Sequence, residues 1–288
     1  MKVKKTRVFL FILLMIGVLF FYKDAIMFAI QPAQVKIDAE AAVIIDEDTG
    51  EILFAKNKQM KLYPASTTKL LTALVALDKS TMDEQVIVGE EVYLSVDQEA
   101  RAGLFEGQAL TVEELLAAML LQSGNDAARS LAVYIAQKEL GEQRSPDEAI
   151  HYFSQLMNEK AQEIGATHSH FTNPHGLHDP NHYSTAGDMA LIAKEARHHV
   201  EIDQIVSQEK IATESHTYMN RNQLLNSASP YFYDGATGLK TGFTDQAGYC
   251  LASSAERHGR KLVAVVLNSG KETVWSDSIS LLDYGFEK

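Results

Sequence analysis

The chain has 288 residues, enough for one large domain or two small ones with a sizeable core. Hydrophobic residues make up 46% and charged residues 22%, which excludes a disordered chain or a coiled coil. A net charge of −12 argues against a phosphate-backbone binder, so no nucleic acid is expected, and the single cysteine, Cys250, excludes an intrachain disulfide framework and a multi-cysteine zinc site.

The charge is unevenly spread. Lys2, Lys4, Lys5, Arg7 and Lys23 stand against Asp24 alone in residues 1–30, leaving 21 cations and 37 anions, a net −16, for the remainder. Four of these cations precede an uncharged run, Val8 to Tyr22, in the order of a basic n-region and an apolar h-region. That run is shorter than the ~20 residues of a spanning helix, but Ala25–Ile30 continues its apolar character. Residues 1–33 are therefore expected to be a signal peptide or an N-terminal membrane anchor. The positive-inside rule then places residues 34–288 outside the cytoplasm.

Ala41–Asp46 and Glu51–Lys56 are short apolar, β-branched runs separated by Glu47-Asp48-Thr49-Gly50, the pattern of a β-hairpin. Thr67–Lys79 has helical spacing. Thr111-Val112-Glu113-Glu114 is a capping box that opens an apolar helix over Leu115–Gln122. Ser123-Gly124-Asn125 stops it, and a second helix is predicted over Asp126–Glu139. Ser145-Pro146 starts a helix that runs to Ile164 and stops at Gly165. Ser184 or Thr185 caps another, ending near His199. Ala247–Ala255 and Lys261–Asn268 read as strands joined by a turn at Arg257–Arg260, and a last helix is predicted over Glu272–Tyr284, stopping at Gly285. Strands, a helical block, strands and a helix make an α+β fold, with the terminal strands sharing one antiparallel sheet and the helical block inserted.

Three short motifs carry chemistry. Ser66-Thr67-Thr68-Lys69 puts a hydroxyl and an amine three residues apart, on one helix face. Serine is a weak nucleophile without a base in reach, and lysine is such a base once burial and nearby cations lower its pKa. Ser123-Gly124-Asn125 exposes a hydroxyl and an amide at a break between helices. Lys240-Thr241-Gly242 offers a cation, a hydroxyl and a position where a substrate backbone approaches closely, as on an edge strand. The spacing is 57 residues from the first motif to the second and 117 from the second to the third.

In this order the motifs resemble those of serine β-lactamases and penicillin-binding proteins. With S-G-N as the middle motif, the chain looks like a low-molecular-mass penicillin-binding protein of the serine D-alanyl-D-alanine carboxypeptidase family, peptidase S11-like. Tyr63–Lys69, Gln122–Ala127, Phe171–Leu177, Tyr183–Ala190 and Gly238–Thr244 support the likeness, which covers roughly Ile37 to Phe286. The resemblance implies a transpeptidase fold, an antiparallel sheet with an all-helical lobe and the site between them. It implies removal of the terminal D-alanine from peptidoglycan stem pentapeptides, inhibition by β-lactams, and no metal or other cofactor. It makes Ser66 the acylated nucleophile and Lys69 its base. Ser123 relays a proton to the leaving amine, and Asn125 holds the substrate amide and Lys69. Lys240 supplies positive potential and Thr241 holds the terminal carboxylate, with Gly242 beside them. The backbone N–H groups of Ser66 and Phe243 form the oxyanion hole. Family members often carry a further β-rich C-terminal domain, and none is expected after Phe286-Glu287-Lys288. The implied location is the cell wall or the outer face of the plasma membrane.

Two other readings share these features. A class A β-lactamase needs an E-x-x-L-N stretch after the middle motif, and Asn158–Glu163 does not fit it. A non-enzymatic β-lactam sensor or wall-binding module fits the N-terminal segment but not the intact motifs. The five histidines between His168 and His182 lie in a loop-like composition rather than a zinc pattern. Cys250 is expected to be buried and inert, and Trp275 to pack in its helix.

Overall fold

The protein is described by a computed structural model that covers residues 35–213 and 216–288. The expectation for residues 1–33 lies outside the described residues. Ile37–Lys288 forms one compact unit.

The predicted hairpin is present as β1 (Ala41–Asp46) and β2 (Ile52–Lys56). It joins the C-terminal strands β7 (Ala236–Thr244), β8 (Gly248–Arg257) and β9 (Arg260–Ser269). Together they make one antiparallel sheet in the order β2-β1-β9-β8-β7, where β1 pairs with β9 through Val43↔Val265. The terminal strands therefore share a sheet, as predicted, and β7 is one of its edges.

The inner strands are apolar on both faces, and their period of two decides where each residue goes. Val43, Ile45, Val263, Val265 and Leu267 join the large core shared with the helical lobe. Ile44 and Leu262 point the other way, onto the last helix. The predicted stop of that helix at Gly285 is not observed, because the helix runs through it from Thr273 to Glu287. A Cβ at Gly285 would lie 2.6 Å from Ile44 Cδ1 and 2.7 Å from Leu262 Cδ1. The glycine serves close helix–sheet approach rather than termination.

Between the two halves of the sheet lie α1 (Lys69–Lys79), α2 (Val112–Leu121), α3 (Asn125–Leu140), α4 (Pro146–Ile164), α5 (Ala186–His198) and α6 (Val200–Val206); the C-terminal helix is α7. Both predicted capping boxes form: Thr111 and Ser145 accept from the N–H groups of Glu114 and Glu148, whose carboxylates reach back. Thr185, not Ser184, caps α5, accepting from the Asp188 N–H at 3.0 Å. Sequence periodicity missed two small ribbons, β3 (Gln85–Ile87) with β4 (Ala109–Thr111), and β5 (Lys210–Ala212) with β6 (Thr217–Met219). Three residues are too few to print a period of two. Among the described residues no helix is long and apolar enough to cross a membrane.

Candidate active site

Ser66 sits in a 3₁₀ turn, Ala65–Thr68, that leads directly into α1. Ala65 before it adopts φ +48°, the left-handed region that a residue with a side chain enters at a cost. The turn is tied down on several sides. Thr67 Oγ1 donates to Pro64 O at 2.6 Å. Thr68 Oγ1 lies 2.9 Å from His182 Nε2, while His182 Nδ1 accepts the Thr172 N–H at 3.1 Å. The second contact puts the ring hydrogen on Nε2, so His182 donates to Thr68. Burial holds that imidazole down at about 3, so it stays neutral.

Lys69 is wholly buried. Its Nζ lies 2.9 Å from Ser66 Oγ, 2.7 Å from Asn125 Oδ1 and 2.7 Å from His175 O. Desolvation is the largest cause holding its pKa well below the usual lysine value, followed by the cations Lys240 and Arg129. A free-base amine has two N–H groups and one lone pair. Asn125 Oδ1 and His175 O are obligate acceptors and take the two hydrogens. In that uncharged form the remaining lone pair faces the Ser66 hydroxyl, 2.9 Å away, the arrangement a general base requires.

Ser123 and Asn125 come from the α2–α3 break. Ser123 is buried with φ +64°, like Ala65 a non-glycine residue in the left-handed region. A loop over 97–104 is clasped to the start of α3. The Asn125 N–H donates to Ala100 O at 2.8 Å, and the buried Asp126 carboxylate accepts from the N–H groups of Ala102, Gly103 and Leu104 at 2.8, 2.9 and 3.1 Å. The same loop brings Glu99, whose carboxylate takes a two-pronged contact from Arg129 at 2.9 and 2.6 Å and accepts from Asn125 Nδ2 at 3.1 Å.

The KTG motif lies inside β7, on the sheet edge. Lys240 is buried, donates to Thr241 O at 3.0 Å, and is pushed down to about 7, first by burial and then by the Arg221 cation. A Cβ on Gly242 would lie 2.9 Å from the Ser66 backbone N. On the opposite side, Gly176, at φ +82°, packs so closely that its Cβ would lie 1.9 Å from Ala65 O and 3.0 Å from Ser66 N. Two glycines therefore grip the Ala65–Ser66 peptide between a sheet edge and a loop. Gly176 is held by an Asx turn, in which Asn173 Oδ1 accepts its N–H at 2.7 Å. Thr72 Oγ1 ties the same loop to α1 through Pro174 O at 2.6 Å.

Ser66, Asn125 and the half-exposed Phe243 line a cleft of about 260 Å³ together with Asp97, Glu99, His178 and Asp245. The structure thus brings Ser66, Lys69 and Asn125 into direct contact and sets Gly242 against the Ser66 amide. Thr241 and Lys240 lie one and two residues away from Gly242 on the same strand, and Lys240 acts on Lys69 through its charge. Sequence reasoning missed Glu99, Arg129, Arg221 and the main-chain carbonyl of His175. Of these, only His175 fell in a stretch already singled out, Phe171–Leu177. Among the described residues no group of three or more His, Cys, Asp or Glu side chains could hold a metal ion. Of the five histidines, His170 contacts Asn181 O, His168 faces Asp188, His178 packs edge-on against Tyr63, and His175 and His182 are buried. Cys250 is buried on β8, and burial pushes its thiol up to about 12. Trp275 stacks on Tyr231 at 5.9 Å within the protein's own packing.

The family model for D-alanyl-D-alanine carboxypeptidase, Peptidase S11, matches residues 28–271. The chain belongs to this family. The D-alanyl-D-alanine carboxypeptidase DacF of Bacillus subtilis is 33% identical over 87% of this chain and 63% of its own length, so the chain spans under two thirds of that relative. The carboxypeptidase DacB2 of Mycobacterium tuberculosis is 31% identical over 86% of this chain and 82% of its own. Among solved structures, the Streptomyces K15 DD-transpeptidase superposes with a TM-score of 0.79 at 29% identity, covering 88% of this chain and 98% of that one. Penicillin-binding protein D2 of Listeria monocytogenes in its ampicillin-bound form gives 0.72 at 28% identity, covering 87% and 98%. The α+β architecture of this carboxypeptidase-family chain is thus the fold of the DD-transpeptidases and penicillin-binding proteins.

Proposed function

We propose that the protein is a serine D-alanyl-D-alanine carboxypeptidase that removes the terminal D-alanine from peptidoglycan stem pentapeptides outside the cytoplasm. The observation that carries this reading is the buried Lys69 amine, 2.9 Å from Ser66 Oγ, with its two hydrogens committed to Asn125 Oδ1 and His175 O. Ser66 Oγ attacks the carbonyl of the scissile D-Ala-D-Ala bond and its proton passes to Lys69 Nζ. The backbone N–H groups of Ser66 and Phe243 take the oxyanion. The C–N bond breaks, D-alanine leaves with a proton relayed through Ser123, and an ester remains on Ser66. Water then releases the shortened peptide. Lys240, Thr241 and Arg221 suit the substrate's terminal carboxylate, and the free edge of β7 suits its extended backbone. A β-lactam carbonyl enters by the same route and acylates Ser66. Residues 34–288 are the catalytic domain in this reading, with residues 1–33 as signal or tether to the outer face of the membrane.

The test is release of D-alanine from a diacyl-L-Lys-D-Ala-D-Ala peptide, with intact-protein mass spectrometry after benzylpenicillin. Wild type is expected to release D-alanine and to gain one penicilloyl mass, and Ser66→Ala to do neither. No release and no adduct in folded wild type refutes the proposal.

A further inference from the structure

Asn125 is an amide whose two ends differ in chemistry, and the lysine mechanism needs one of them. Its Oδ1 must face Lys69 Nζ, as it does at 2.7 Å, because a turned amide would offer an N–H to the lysine lone pair and draw it away from Ser66. What decides the turn is on the other side of the amide. Nδ2 donates to Glu99 Oε2 at 3.1 Å, and Glu99 is an acceptor in either of its oxygens because Arg129 forks onto both, at 2.9 and 2.6 Å. The Arg129 and Glu99 side chains are 2% and 0% exposed, so the pair is a fixture of the protein interior and not a surface ion pair. Glu99 arrives on the loop clasped to α3 by the Asp126 carboxylate and by the Asn125 N–H to Ala100 O.

We propose that Glu99, held by Arg129, is a positioning residue for the acylation step: it fixes the Asn125 amide so that Oδ1 orients Lys69 onto Ser66 and one Nδ2–H is left for the substrate. This rests on the reading of Ser66 and Lys69 as nucleophile and base. The ion pair is thus part of the acylation machinery, two contacts removed from the reacting oxygen. Its charges also act on Lys69 in opposite directions, Glu99 favouring the protonated amine and Arg129 opposing it, beside Lys240 from β7 and Arg221 from the loop after β6. The imidazoles of His175 and His182, which face the same region, are held neutral by burial.

Two double variants isolate the acceptor. Glu99→Leu/Arg129→Met and Glu99→Gln/Arg129→Met both remove the ion pair without leaving a buried charge, and only the second keeps an oxygen for Asn125 Nδ2. Acylation by benzylpenicillin, followed by mass spectrometry on the full chain, is expected to slow about tenfold or more in the Leu variant and to recover to within about threefold of wild type in the Gln variant. Equal rates in the two overturn the proposal. Glu99→Gln alone gives an independent readout, since it leaves the Arg129 cation uncompensated beside Lys69. The acid limb of its acylation–pH profile is expected to move to lower pH, and an unmoved limb overturns the proposal should the double variants not fold. Absence of acylation in wild type refutes the functional reading instead, so the two failures are distinct.

Discussion

Replacing Gly176 by alanine puts a methyl group into the Ala65–Ser66 peptide. The added Cβ would meet Ala65 O at 1.9 Å and Ala65 C at 2.4 Å. Ordinary carbon contacts lie near 3.5–4.0 Å, so loop and turn must part by roughly 1.5 Å. Neither side yields easily. The loop is held by Thr72 and Asn173, and the turn leads into the buried Lys69 of α1. The φ of +82° adds roughly 1–2 kcal/mol for a residue with a Cβ. Because the atoms displaced belong to the peptide that presents the Ser66 N–H, a shift of about 1 Å there costs on the order of 10²-fold in rate. Gly242→Ala is the comparison. Its Cβ would meet Ser66 N at 2.9 Å and Ala65 Cβ at 3.1 Å, an opening of roughly 0.5 Å on an edge strand that can slide outward, for about tenfold. The assay is the second-order rate of penicilloyl transfer by mass spectrometry, on variants shown by circular dichroism to be folded. Gly176→Ala within threefold of wild type, or less affected than Gly242→Ala, refutes the argument.

Three further outcomes are expected. Acylation falls as pH drops through the depressed pKa of Lys69, because protonation removes the lone pair that faces Ser66, and a rate–pH profile flat from neutrality into acid contradicts this. Lys240 is held down from 10.5 to about 7, so between those values the unfolded chain binds more protons and stability rises with pH. Lys240→Met therefore stabilises the fold at pH 7 by on the order of 4 kcal/mol while lowering affinity for carboxylate-bearing substrates, and urea unfolding without a gain refutes it. Asp126→Ala strips the acceptor from four backbone N–H groups, those of Ala102, Gly103, Leu104 and Ala127, costing about 3 kcal/mol. Its signature is loss of hydrogen-exchange protection at residues 102–104, and unchanged protection counts against the clasp.

The unequal legibility of these features in the sequence has particular causes. Ser66, Lys69 and Asn125 stand in short patterns beside helix boundaries, and their order along the chain identifies the family. The capping boxes at Thr111 and Ser145 and the apolar run of β9 are local signals that survive folding unchanged. Gly285 misled the reading of the last helix because a stop signal and a close-packing site use the same residue. The Glu99 contact to Asn125 spans 26 residues, and the His175 carbonyl that holds Lys69 lies 106 residues away. A carbonyl oxygen carries no residue identity at all, so no pattern of side chains announces it.

The sequence by itself determined the α+β order of elements, the chain positions of the three motifs and the family they belong to, because each depends on residues close together along the chain. Only the tertiary structure decided which atoms surround the Lys69 amine, which way the Asn125 amide faces, and how tightly Gly176 and Gly242 grip the Ser66 peptide. Those are matters of contact between segments far apart in sequence, and a directional lone pair is placed by contacts on every side of it.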